Sequence, residues 1–336
     1  MKKTVMLLMG GSSDEHYLSM RSAKIVFELI DIEKYDVMPV EWQQNGAFLE
    51  YELNSMNKVK SSYQDMLGFF YHVRPDIVFI ALHGNSEGNG KLAGFLDLLK
   101  IPYTGNGFIQ SVVGMNKELS KLKFIHAGIK TPEFISFTRN NVQTMDEKKG
   151  VIENHLKYPC IVKPGSSGSS IGIRKIENFD DLTAHVRTLL KTDDVVLVEE
   201  LISGTEYSVG VCGGTVGYDK EKFPVARLDY SGELFDEDVK KNNLYTVSVP
   251  AEISEETAEL MQSTAGKIHD LLLLEGMSRS DFILTEKGDV YALEVNTLPG
   301  LSDHSIFTLM MEPDNVSGSV INNLIKWAKY DFPIVE

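Results

Sequence analysis

The chain has 336 residues, 43% hydrophobic and 24% charged, with 33 Lys and Arg against 48 Asp and Glu for a net charge of -15. This is the composition of an ordinary soluble protein, long enough for two or three compact domains of roughly 100 to 200 residues. The acidic balance excludes nucleic acid and an anionic membrane surface as partners, since both call for a basic footprint, and an anionic substrate would need a local basic site.

The opening MKKTVMLLMGG has the charge of a signal segment, but its apolar run from Val5 to Met9 is shorter than the roughly 7 to 15 residues of a secretory core. It reads as a first strand, Thr4 to Met9, and Gly10 to His16 as its turn before a helical stretch near Ser19 to Leu29. Tyr35 to Val40 and Asp76 to Leu82 give two more strands, the second ending in His83-Gly84. Strands alternating with helices imply an α/β fold with a parallel sheet, whose ligand crevice lies at the carboxyl ends of its strands, where Glu15 and His83 both fall. Gly10-Gly11 lacks the spaced glycines of a dinucleotide fold, so NAD is disfavoured. Taken alone, Glu15 reads as a solvated loop or cap residue.

The pattern breaks at Ile101 to Gly107, which marks the first domain boundary. Helical stretches up to about Ala127 follow and carry Lys117. Tyr158 to Pro164 is a strand with Lys163 near its end, Gly165 to Gly172 a loop, and Ile173 the start of the return strand. A Gly and Ser loop between paired strands presents N–H groups and hydroxyls to phosphate oxygens while the flanking lysine supplies charge. It is not a GxxxxGK(S/T) loop, and by itself it reads equally as a flexible hairpin tip. Asp180 to Leu190 is helical, and Val195 to Ile202 is an apolar strand running into Glu199 and Glu200. Its edge could meet a flat base with Glu206 reaching a ribose, although alone these acids read as a solvated strand end. Phe223 to Leu228 is a strand, and the polar stretch 229–245, with Lys240-Lys241, reads as a lid or a surface insertion. Glu255 to Leu274 has helical spacing, and Val320 to Ala328 reads as a closing helix.

Between these helices, SRSDFIL and DVYALEV flank Glu286 to Asp289, where Gly288 supplies the freedom a hairpin turn needs. A loop symmetric about Lys287-Gly288 makes cross-strand partners sum to 575, which sets Asp281 opposite Glu294 and Arg279 opposite Asn296. All four then share one face, with opposed Cβ atoms about 5 Å apart. Two facing carboxylates repel unless a cation or proton lies between them; hard oxygen donors of this kind suit Mg²⁺, and Arg279 suits an anion. An acidic hairpin alone is a solvated surface feature, but Phe282, Ile283, Leu284, Val290, Ala292, Leu293 and Val295 argue for an inner strand pair, where charges need a reason. The eight His show no zinc-site spacing, and the two cysteines, Cys160 and Cys212, sit in apolar runs as core residues, which points to a reducing, cytoplasmic setting.

In order, GGSSDEHYLS, HG before a glycine-rich turn, IPYTGNG, MNKELSK, YPCIVKPGSSGSSIGI, LVEELISGTEYSVGV, and RSDF with LEVNTLPGLSDHS resemble the ATP-grasp ligases, and among them the D-alanyl-D-alanine ligase family, over nearly the whole chain. The resemblance implies an N-terminal Rossmann-like parallel sheet followed by a two-lobed ATP-grasp fold of α+β type, divided as 1–105, 106–198 and 199–336. It implies ATP as substrate and Mg²⁺, as one or two ions for which Mn²⁺ substitutes. Lys117, Lys163, Ser169 and Ser170 would meet the phosphates, Glu199, Glu200, Ile202 and Glu206 the nucleoside, and Asp281, Glu294 and Asn296 the metal. Arg279 and the Gly300 N–H match groups that stabilise an oxyanion, and Glu15 the anchor of the first amino acid's ammonium. His83, Ser305 and Ile306 match substrate-binding positions, and Lys240 the lysine of the lid. The implied activity joins two D-alanines through an acyl phosphate for peptidoglycan, in a homodimer formed by the first domain.

Two departures stand out. The family usually continues Gly-Glu-Asp-Gly and then Gln after its His-Gly, where this chain has Glu87-Gly88-Asn89-Gly90 and Ala93, and the lid's usual Lys-Tyr is Lys240-Lys241. The second leaves the second substrate open between D-alanine, D-lactate, D-serine and another amino acid. A nucleotide-binding scaffold without catalysis is a further alternative, against which retention of the metal set, Arg279, Lys117 and Lys163 speaks.

Overall fold

The computed structural model describes residues 2–83, 90–166, 168, 170–213, 220–242, 244–313 and 315–329, with Lys241 described for its backbone only. The apolar run at the start forms β1 (Lys3–Gly10), in which Val5 to Met9 are 0% exposed, as a strand covered on both faces must be. It pairs in parallel with β2 (Tyr35–Trp42) on one side and β5 (Ile77–Ile80) on the other, and helix His16–Leu29 makes the crossover. The parallel core expected from the alternation is present. Two antiparallel strands, β3 (Phe48–Tyr51) and β4 (Val59–Tyr63), extend it to the order β4-β3-β2-β1-β5. Their sequences, FLEY and VKSSY, are too short and polar to announce buried strands.

A second sheet, all antiparallel, has the order β6-β9-β7-β8 from β6 (Phe134–Thr138), β7 (Cys160–Pro164), β8 (Arg174–Ile176) and β9 (Val195–Glu200). Alternation divides its faces. Cys160, Val162, Val196 and Val198 pack with Leu182 and Val186 of helix Phe179–Leu189, which leaves Ile161, Lys163 and Glu199 on the opposite face.

The third sheet has the order β13-β12-β10-β14-β15, built from β10 (Thr205–Gly213), β12 (Ala226–Tyr230), β13 (Tyr245–Ser248), β14 (Gly276–Leu284) and β15 (Val290–Asn296), with the short β11 (Glu221–Lys222) paired to β10. Tyr207, Val209, Val211, Phe282, Ala292 and Val295 bury one face against Met261, Ala265 and Ile268 of helix Glu255–Leu271, whose Ser254 cap accepts the Thr257 N–H. The strand expected over Phe223 to Leu228 begins only at Ala226: Phe223 still donates its N–H to the Gly210 carbonyl at 2.9 Å, but Pro224, with no N–H to give, interrupts the ladder, and the Phe223 ring stands edge-on to Phe307, ring centroids 5.4 Å apart. Burying a side chain of that size contributes about 1.5–3 kcal/mol.

What positions the site is the way the sheets join. Phe307, Met310, Ile321 and Leu324 from the C-terminal helices Ile306–Met311 and Ser317–Trp327 share one core with Val5, Leu7, Met9 and Phe79 of the first sheet and Cys212 and Met277 of the third. Asn106 locks the linker by donating to the Met277 and Thr297 carbonyls (3.1 and 2.7 Å) and accepting the Glu275 N–H (2.7 Å). Cys160 and Cys212 are free and buried, and burial pushes the Cys160 thiol up to about 11, so both are inert core residues. Among the described residues no helix is long and apolar enough to cross a membrane.

Candidate active site

β14 and β15 pair Asp281 with Glu294 and Arg279 with Asn296, as the sequence leads one to expect. The route to that register differs. Near the turn Leu284 faces Val290 and Phe282 faces Ala292, a register centred on Lys287, and an irregularity at Leu293 then adds the residue that restores the expected pairing. The pair is also not inner on both sides. β14 lies between β10 and β15, whereas β15 is an edge strand, covered by helices Phe108–Met115 and Lys117–His126 and fixed by the Ala292 N–H to the Lys130 carbonyl at 2.8 Å.

Charge at this hairpin is tightly organised. Arg279 grips Asp281 with two hydrogen bonds, Nε to Oδ1 at 2.8 Å and Nη2 to Oδ2 at 2.9 Å, and Ser208, opposite Asp281 on β10, donates to Oδ1 at 2.6 Å. Burial opposes the Arg279 charge, but Asp281 and Glu294 outweigh it. Burial likewise pushes the Glu294 carboxyl up, yet Lys117, Lys163, Lys240 and Arg279 overcome it and hold the group down at about 2, ionised at neutral pH. Lys117 approaches Glu294 to 3.3 Å.

Between the second and third sheets lies a cavity of about 400 Å³, lined by Lys163, Glu199, Glu200, Ile202, Glu206, Ile283 and Leu293 among others. Lys163 and Glu199 are 5% and 3% exposed and form an ion pair at 2.9 Å. Glu200 is tied back, accepting the Glu133 N–H at 2.9 Å. Ser170 has a φ of 58° in the loop after β7, and its neighbour Ser169 lies outside the described residues, as do Glu87 to Asn89 of the altered turn, whereas Gly90 caps helix Lys91–Leu99 and Ala93 is buried in it.

The polar stretch 229–245 is not a bare loop. β12 and β13 pair from Arg227 with Ser248 to Tyr230 with Tyr245, and a short helix, Glu237–Lys241, capped by Asp236, sits between them. Phe235 packs against the rings of Tyr230 and Tyr245 at 5.2 and 5.0 Å, and Lys240 Nζ lies 5.4 Å from its centroid. Burial, then Arg279, lowers the Lys240 pKa, opposed by Glu294, Asp281 and Glu15, which places this ammonium among the hairpin's charges and the first sheet's acid.

Glu15 stands at the N-cap of helix His16–Leu29, which begins earlier than the sequence suggests. His83 Nε2 and Ser22 Oγ share a hydrogen bond of 2.7 Å, and the same hydroxyl accepts the Leu301 N–H at 3.2 Å, so the end of the first sheet is bound to the loop after β15. Gly300 lies against both: a Cβ there would come within 2.7 Å of Ser305 Oγ and 2.8 Å of His83 Cε1. Ser305 Oγ also accepts the Ser302 N–H at 3.1 Å, and Ile306 is buried beside it. His83, Gly300 and Ser305 thus converge. Ser22, Ser208, Tyr230 and Lys121 are partners that sequence reasoning missed; only Lys121 had a signal, its four-residue spacing from Lys117 on one helix.

The hairpin fits a hard divalent cation. Among the described residues no three His, Cys, Asp or Glu side chains converge, and the oxygens the hairpin could offer such an ion are those of the two opposed carboxylates and the Asn296 amide, whose Oδ1 accepts the Leu298 N–H at 2.9 Å. So sparse an oxygen set suits Mg²⁺, whose other ligands are waters and phosphates.

Glu206 carries a pH signature. Burial raises its pKa to about 7, Tyr230 Oη opposes by donating at 2.9 Å, and Asp281 and Glu294 add to the rise. The folded chain therefore binds this proton more tightly than the unfolded one, so the stability it contributes is complete below about pH 4.5 and is lost as pH rises through about 7. Glu206→Gln should flatten that decline, with a gain of up to about 3 kcal/mol at pH 8, read from thermal midpoints across pH 4.5 to 8. Parallel pH profiles for both chains would refute the assignment.

The family model described as D-ala D-ala ligase N-terminus matches residues 4–106, and that described as D-ala D-ala ligase C-terminus matches 124–326. A D-alanine--D-alanine ligase of Geobacillus thermodenitrificans is 34% identical, with 98% of this chain and 96% of that protein aligned. One of Geobacillus kaustophilus is 32% identical over 94% and 91%. Among solved structures, the VanG D-Ala:D-Ser ligase from Enterococcus faecalis superposes with a TM-score of 0.83 at 28% identity, covering 97% of this chain and 99% of that one. With family models over both parts of the chain and relatives along its length, this protein belongs to the D-alanine–D-alanine ligase family and has its ATP-grasp fold.

Proposed function

We propose that the chain joins two D-alanines at the expense of ATP, giving D-alanyl-D-alanine for peptidoglycan in the cytoplasm. The observation that carries this reading is the pairing of Asp281 with Glu294 beside Arg279, next to a cavity edged by Lys163 and Glu206. Ile202, Glu199, Glu200 and Glu206 would hold the nucleoside in that cavity. Lys117 and Lys163, with the loop of Ser169 and Ser170, would hold the phosphates. Asp281, Glu294 and Asn296 would hold Mg²⁺, which when bound neutralises charge on the phosphates.

The remaining roles belong to the chain's own groups. Glu15 holds the ammonium of the first D-alanine so that its carboxylate faces the γ-phosphoryl group. That carboxylate is a poor electrophile; taking the phosphoryl group turns it into an acyl phosphate and releases ADP. The amine of the second D-alanine, held by Ser305, Ile306 and His83, attacks the acyl carbon. Arg279 and the Gly300 N–H stabilise the tetrahedral oxyanion, and its collapse expels phosphate. The lid with Lys240 keeps water from the acyl phosphate.

Three bodies, 1–105, 106–198 and 199–336, would carry these parts. We place a homodimer contact on the exposed Leu67, Tyr71 and Leu98 of the first body, 71%, 75% and 73% exposed. D-Serine as second substrate is the alternative reading, favoured by the likeness to a D-Ala:D-Ser ligase, while Lys241 at the lid leaves the choice open to D-lactate and other amino acids as well. ADP and phosphate release with ATP and Mg²⁺ against D-alanine, D-serine, D-lactate and mixtures, with product masses, tests both. Release with D-alanine alone and a dipeptide mass is the expected result; release only with a mixed pair moves the function to the alternative, and nucleotide binding with no turnover on any pair sinks both.

A further inference from the structure

Helix Lys117–His126 buries Lys117, Ser120, Lys121 and Phe124 on one face. The two lysines, one turn apart, serve different acids: Lys117 meets Glu294 at 3.3 Å and Lys121 meets Glu199 at 2.9 Å. Lys121 is 0% exposed and stands behind the cavity wall, with its ammonium 5.3 Å from the Phe134 ring centroid. Glu199 therefore carries one cation on each oxygen, Lys121 at Oε1 from behind and Lys163 at Oε2 from the cavity side, both at 2.9 Å. A carboxylate this deeply buried cannot be left without a cation, because an uncompensated charge in a low-dielectric site is strongly destabilising. Lys163 cannot give its charge to a phosphate while it alone neutralises Glu199. A second cation removes that conflict.

We propose that Lys121 is a positioning residue: by holding Glu199 from the side away from the cavity, it frees Lys163 for the phosphate oxygens of the nucleotide. The inference rests on the reading that Lys163 meets those phosphates. Lys121 touches neither nucleotide nor substrate; it acts through Glu199. Burial lowers its own pKa to about 8, which the Glu199 charge opposes, consistent with a lysine retained for one partner.

The test is a double-mutant cycle on the full chain, with ADP and Mg²⁺ as the calorimetric probe and D-alanine-dependent turnover followed in parallel. Lys121→Met should weaken ADP binding by about tenfold or more and raise the KM for ATP to match, with the KM for D-alanine within about twofold. In a Glu199→Gln background the same change should alter ADP affinity by less than about twofold, since no carboxylate needs holding. An equal loss in both backgrounds, or no loss in either, overturns the proposal, because a structural role or simple loss of positive charge would act regardless of Glu199. If Lys121→Met does not fold, Lys121→Gln, whose amide can donate to Glu199 without charge, takes its place under the same criteria. Absence of turnover in the unaltered chain sinks the ligase reading alone, since ADP binding and the cycle are read without it.

Discussion

Glu294→Ala is expected to lower D-alanine-dependent ADP release by at least about a thousandfold while leaving the fold intact. The side chain lies on the partly exposed face of β15, so its loss opens no core cavity. What it removes is one of two facing carboxylates and the charge that Lys117, Lys163, Lys240 and Arg279 surround. Without it those four cations lose their shared counter-charge, and the site becomes more attractive to a bare polyphosphate. Two readouts therefore move in opposite directions. Affinity for ADP without metal holds or rises, whereas the gain in affinity that Mg²⁺ confers disappears along with turnover. A variant that keeps full turnover, or the full Mg²⁺ dependence of ADP binding, would remove Glu294 from the metal set.

The sequence made the hairpin legible because strand alternation is strict: once Asp281 and Glu294 face each other, Arg279 and Asn296 follow. Even so, the expected pairing was reached through two local errors that cancel. The turn centres on Lys287, with Gly288 at a φ of 86°, and the irregularity at Leu293 shifts the register back by one residue. Neither is written in hydrophobic pattern. The edge position of β15 was hidden for a related reason: an edge strand covered by two helices is as apolar as an inner one. The lid's secondary structure depends on partners far along the chain, with Phe235 seated between Tyr230 and Tyr245, and a polar stretch gives no period to announce such a cluster. Ser22 and Ser208 could not be found at all, because a buried serine's importance lies in what stands opposite it, here His83 and Asp281.

Arg279→Lys is the second substitution with a large expected effect, and it separates two jobs the guanidinium performs. One is counter-ion to Asp281, through the fork of 2.8 and 2.9 Å hydrogen bonds. The other is the proposed stabilisation of the oxyanion when the second amine attacks. A lysine keeps the charge within reach of Asp281 but gives up the planar fork, so it cannot hold that carboxylate by two bonds and still aim a donor elsewhere. Ser208 continues to hold Asp281 Oδ1 at 2.6 Å, which limits how far the metal set relaxes. Loss of one oriented donor at a developing oxyanion costs about 10²- to 10³-fold, so kcat should fall by that factor with the KM for ATP changed only a few-fold. A kcat within about fivefold of the unaltered chain would mean that no oriented guanidinium donor acts on the oxyanion, and the case for Arg279 would then rest on its charge and its grip on Asp281. A kcat loss accompanied by an equal loss of Mg²⁺-dependent ADP affinity would point the same way, because damage transmitted through Asp281 must appear in metal binding before it appears in the attack step.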